Sequence, residues 1–243
     1  MLEHLHRHDA VKAPQPVHID VEAVDEVAAH HEVAERFDDV SGGGGAFIKQ
    51  QIKSNIGRLL LSILIAPFAF PMLSIPSMRR IGVSAYLWIA SVGLSEAAYK
   101  KILDEFIAQY RIKPIEPVLT ECRKDIAAGK KVVIATGAGH EMASAFIRHL
   151  GMENRVGLVT SQSVRFLGGM ISLIQANGET KLRVLIRHGY SPPYVRAYSD
   201  TASDLPILRA ATKAFLVNYR EKDRIYLSQK LGEKLQVIDQ IKP

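Results

Sequence analysis

The stretch RAYSDTASDLPILRAATKAFLVN, residues 196–218, decides how the chain is read. An apolar run ends in Ser199 and Asp200, a second acid, Asp204, stands four residues later, and residues 213–217 read as a further strand. Ser203 is positioned to cap a helix beginning at Asp204. Strand, acid, helix, strand puts two carboxylates at the carboxyl end of a parallel strand, where α/β sheets hold their ligands. Such a pair suits Mg²⁺, a hard cation that takes one or two carboxylates and completes its shell with water and phosphate oxygens. The competing reading makes Asp200 a turn acid and Asp204 an ordinary acid at a helix N-terminus.

Residues 131–140, KVVIATGAGH, repeat the arrangement upstream. A buried strand ends at the hydroxyl of Thr136, two glycines follow, and a helix begins that runs to Leu150. Free backbone N–H groups at a helix N-terminus, joined by a threonine hydroxyl, favour a phosphate group. Strands are expected at residues 155–160 and 170–176, followed by a turn at 177–180 and a helix over 181–188 opened by Lys181. Taken alone, a lysine in that position is a solvated surface residue.

Toward the N-terminus, residues 116–128 read as a helix closed by Gly129. Ser95 caps an amphipathic helix over 96–110, with Ala98, Ile102, Phe106 and Ile107 at helical spacing. Residues 59–75, LLLSILIAPFAFPMLSI, are the most apolar segment. They fall short of the roughly 20 residues of a spanning helix, and Pro67 and Pro71 interrupt them. A pair of short helices is expected there, either in an ordinary helical core or at an interface beside Arg79, Arg80, Tyr86 and Trp88. The four glycines at 42–45 read as a flexible linker, and residues 32–36 lack the apolar run of a central strand. Residues 1–36 hold six of the nine histidines and are expected to be a mobile acidic tail ending in a short helix. Their histidines are read as solvated or as a transition-metal site, and no signal peptide is expected.

Charge divides unevenly. Residues 1–46 carry 3 Lys/Arg against 10 Asp/Glu, and residues 47–243 carry 28 against 15, a net +13. A basic body favours phosphate esters or an anionic membrane surface. The basic residues lack the aromatic interleaving of a nucleic-acid-binding surface, so no nucleic-acid partner is expected. The single Cys122 excludes an internal disulfide and fits a cytoplasmic location or one peripheral to an inner membrane.

In order along the chain, Thr136-Gly137, the Gly-x-x-Lys setting of Lys181, and Asp200 with Asp204 resemble the second to fourth motifs of the haloacid dehalogenase (HAD) superfamily, in its phosphoserine phosphatase-like branch. The first motif, Asp-x-Asp-Gly-Thr, is met by Asp39-Val-Ser41-Gly42-Gly43. The resemblance implies a doubly wound, Rossmann-like α/β core over 37–46 and 121–243, with a helical cap over 47–120 and the tail 1–36 outside it. It also implies Mg²⁺-dependent hydrolysis of a phosphomonoester through an aspartyl-phosphate. Asp39 would attack phosphorus and ligate the metal with Asp200 and Asp204, while Thr136, Gly137 and Lys181 hold the phosphoryl group. The implied partner is a phosphorylated small molecule or a phospholipid head group. Ser41 stands where the general acid belongs, so the alternative is a catalytically impaired member of the fold that only binds.

Overall fold

The computed structural model describes the backbone of residues 31–34 and 38–43, and backbone with side chains for 44–75, 77–110 and 115–238. The histidine-rich residues 1–30 and most of the acidic tail lie outside these described residues. The elements are β1 (His31–Ala34), α1 (Asp38–Lys53), α2 (Ile56–Ser74), α3 (Arg79–Ser91), α4 (Glu96–Gln109), α5 (Glu116–Ala127), β2 (Lys131–Gly139), α6 (His140–His149) and β3 (Gly157–Phe166). They continue as β4 (Gly169–Ile174), α7 (Glu179–Arg187), β5 (Tyr194–Ser199), α8 (Leu205–Ala210), β6 (Ala211–Val217), α9 (Glu221–Leu231) and β7 (Leu235–Ile238).

These strands form one sheet in the order β4-β3-β2-β1-β5-β6-β7, parallel except where β4 runs antiparallel to β3. Alternation along β2 decides what each face covers. Val132 and Ile134 pack with Leu103 and Phe106 of α4, Leu119 of α5 and Phe146 of α6, while Val133 and Ala135 pack with Leu185 of α7, Leu208 of α8 and Leu227 of α9. The result is a doubly wound α/β sheet with helices on both sides.

Three local expectations are corrected. Residues 31–34, without an apolar run, form the central strand: Val33 is level with Val133 on one side and Ala197 on the other. Two complete backbone ladders define this strand, so its side-chain pattern need not. The glycine run is helical, lying within α1, whose Phe47 is buried edge-on against Tyr99 and Phe106 at ring distances of 5.7 and 5.4 Å. Finally, residues 56–74 form one helix with Pro67 and Pro71 inside it, and only Ala69 is buried. This helix is therefore not part of the core. On α4 the buried stripe is Tyr99, Leu103, Phe106 and Ile107, with Ser95 capping as expected.

Candidate functional site

The register between β2 and β3 breaks just where β2 reaches the sheet edge. Ala135 is level with Val159, yet Gly139 is level with Ser161, so three residues of β2 stand opposite one of β3. Thr136, Gly137 and Ala138 form this bulge. It is pinned from the neighbouring strand: Ser161 Oγ donates to the Gly137 carbonyl at 2.7 Å and accepts from the Ala176 N–H at 3.0 Å. Within the bulge Thr136 Oγ1 accepts from the Ala138 N–H at 3.2 Å, and Gly137 stays exposed at the mouth of α6.

Two strands away, β5 ends at Ser199 and the chain turns through Asp200. Thr201, rather than Ser203, caps the short 3-10 turn at Ala202–Asp204 by accepting from the Ser203 N–H. Gly178 brings α7 against this turn. Its φ of +53° is open to glycine, and an added Cβ would lie 3.3 Å from the Ser203 carbonyl oxygen. Lys181 is thereby buried beside Asp204: Nζ donates to Oδ1 at 2.8 Å, while Ser199 Oγ donates to Oδ2 at 2.9 Å. Asp204 thus orients Lys181, and Asp200, also buried, stands next to them on the turn.

All five residues, Thr136, Gly137, Lys181, Asp200 and Asp204, line one cavity of about 880 Å³. Asp39 lies in the first turn of α1, and its side chain is outside the described residues. Sequence reading missed Ser161, Ser199, Glu141 and Tyr99. A signal existed for Ser199, a hydroxyl at the end of an apolar strand, whereas Ser161 lies in the middle of β3. Tyr99 reaches the cavity from α4, and burial, reinforced by the charge of Glu141, pushes its phenol far above the ordinary range, so it remains a protonated donor.

The donor set suits a hard divalent cation. Asp200 offers a carboxylate on the cavity wall, and Mg²⁺ needs only one or two of these with phosphate and water oxygens. Among the described residues no group of three His, Cys, Asp or Glu side chains gathers.

A family model described as haloacid dehalogenase-like hydrolase matches residues 38–209. No curated protein matches the chain. Among solved structures, a protein of unknown function from Bordetella pertussis Tohama I superposes with a TM-score of 0.59 at 16% identity, covering 87% of this chain and 98% of that one. A probable phosphoserine phosphatase from Vibrio cholerae gives 0.52 at 16% identity over 79% of this chain, which spans 57% of that longer protein. A HAD family hydrolase from Salmonella enterica serovar Typhi gives 0.52 at 15% identity, covering 82% of this chain and 65% of that one. At these identities the likeness establishes the shared fold.

Proposed function

Since the chain belongs to the haloacid dehalogenase-like hydrolase family, we propose that it hydrolyses a phosphomonoester with the help of Mg²⁺. The observation that carries this reading is the meeting of the Thr136-Gly137 bulge, the Lys181–Asp204 pair and Asp200 around one cavity. The Thr136 hydroxyl and the Gly137 backbone hold phosphoryl oxygens, as donors at a helix N-terminus do. Lys181, fixed by Asp204, neutralises charge that builds on those oxygens in the transition state. Asp200 is the carboxylate for Mg²⁺, which when bound draws charge from the phosphate. Helices α2, α3 and α4 act as the cap, contributing Leu73, Arg79, Val83, Tyr86, Leu87 and Tyr99 to the cavity wall.

Asp39 is the nucleophile in this proposal. One carboxylate oxygen forms a bond to phosphorus as the ester P–O bond breaks, and the ester oxygen leaves with the electron pair. Water then cleaves the acyl phosphate, returning the carboxylate and releasing orthophosphate. The leaving oxygen needs a proton, and Ser41 is no acid. Aryl phosphates, which leave as stable anions, should therefore turn over faster than alkyl phosphates, and Ser41→Asp should raise the alkyl rate by up to roughly 10²–10⁴.

The test is hydrolysis of p-nitrophenyl phosphate with and without Mg²⁺. The expected result is a Mg²⁺-dependent rate that Asp200→Asn and Asp39→Asn each bring to background. An unchanged rate and metal response in Asp200→Asn would overturn the assignment. The second reading, a phosphate-binding protein without turnover, is favoured by the helical backbone that α1 adopts from Asp38 onward. Orthophosphate with Mg²⁺ would then raise the thermal midpoint in a protein that hydrolyses nothing.

A further inference from the structure

Helix α2 is the largest feature that the cavity does not account for. Its mean hydropathy reaches 1.9 over an 18-residue window of which only 11% is buried. Leu64 and Phe68 are 71% and 74% exposed, with Leu60, Ile63 and Phe70 exposed beside them. A core helix of this composition would be covered, and isolated apolar residues on a surface would not align on one helix. At its N-terminal end Arg58 Nη2 donates to the Val92 carbonyl, and there the β3–β4 hairpin tip adds exposed Phe166 and Leu167, held by the Gly93 N–H on the Gly168 carbonyl at 3.1 Å.

Charge identifies what covers this face. Residues 40–95 contain Lys49, Lys53, Arg58, Arg79 and Arg80 and not one Asp or Glu. A second copy docking on the same face would bring these cations against their own kind, whereas an anionic bilayer offers apolar tails for α2 and negative head groups for the cations. We infer that α2 docks the protein on an anionic lipid bilayer, lying in the plane of its surface.

Geometry opposes a crossing. Helix α3 runs antiparallel along α2 in close contact: a Cβ on Gly82 would come 2.9 Å from both the Ala69 carbonyl oxygen and Leu73 Cδ2. In turn α3 is fastened along β4, Arg80 to the Leu173 carbonyl, Ser84 to Ser172 and Ser91 to the Met170 N–H. A spanning α2 would drag α3 and the sheet edge at β4 into hydrocarbon. Pro67 and Pro71 also deprive the Ile63 and Pro67 carbonyls of their helical donors, and water supplies these at an interface. An in-plane helix of this kind sinks about 5–10 Å into the head-group boundary.

The test is co-sedimentation of the full chain with vesicles of phosphatidylcholine and phosphatidylglycerol, against phosphatidylcholine alone. Binding to the anionic vesicles is expected, weaker on the neutral ones and partly reversed by high salt. Phe68→Asp and Leu64→Asp should each lower partitioning by roughly tenfold or more with the thermal midpoint unchanged. No binding, binding indifferent to these substitutions, or extraction only by detergent would each overturn the inference. So would a lipid-free dimer that Phe68→Asp dissociates.

Discussion

Asp204 holds two neighbours at once, the Lys181 ammonium and the Ser199 hydroxyl, from a position that is 1% exposed. Removing one partner of a buried ion pair leaves the other charge uncompensated. Asp204→Ala should therefore cost about 3–5 kcal/mol in urea unfolding, while the double variant Lys181→Met with Asp204→Leu should recover much of that loss. If the double variant is no more stable than the single, the pair is not what the acid stabilises. Thr136 and Asp200 stand out in the sequence because each closes an apolar strand, whereas Lys181, opening a helix after a turn, stands out only through its order and spacing with them. The pairing of Asp204 with Lys181 does not, since 23 residues separate them and only the folded turn at Gly178 brings them together. A second turn, at Ala202–Asp204, explains why Ser203 looks like a cap and Thr201 is one: the chain enters a 3-10 turn before α8 begins.

At the level of elements, α1 shows how tertiary packing overrides propensity. Four glycines weaken a helix by about 1 kcal/mol each relative to alanine, yet α1 persists because Phe47 and Ile52 are buried. Gly45→Ala should consequently stabilise the protein by up to about 1 kcal/mol, since an added Cβ meets nothing within 4 Å. Differential scanning calorimetry would detect the raised midpoint, and a lowered one would mean that residue 45 is not helical. Strands β2, β4, β5 and β6 and helices α4 and α5 were legible from periodicity and caps, to within a few residues, while β3 runs six residues past its expected end at Thr160 because polar residues carry it on into the hairpin with β4. Helix α2 was legible as apolar but not as a single exposed helix, because hydropathy reports what a segment prefers and not what its neighbours leave uncovered.

For the molecule as a whole, β1 joins two otherwise separate halves of the sheet. Strands β2, β3 and β4 lie on one side and β5, β6 and β7 on the other, and β2 and β5 are each paired to β1 rather than to one another. Deleting residues 1–34 should abolish cooperative unfolding monitored by circular dichroism. A sharp transition in the truncated chain would show that the halves associate without this strand. Nothing in the composition of residues 31–34 announced that role, which belongs to strand order rather than to side chains.

That position also governs how the chain reaches its native state. His31 is level with Lys131, and Glu32 with Arg196, so the middle of the sheet is made of segments far apart in sequence. Each closure orders a long stretch of chain before its contacts form, and non-local pairing of this sort slows folding. During synthesis the N-terminal strand leaves the ribosome first and waits for β5, while the apolar face of α2 is already exposed. Until residue 199 has emerged β1 can pair on one side alone, and partly folded chains with an unpaired strand edge and exposed apolar surface are prone to aggregate.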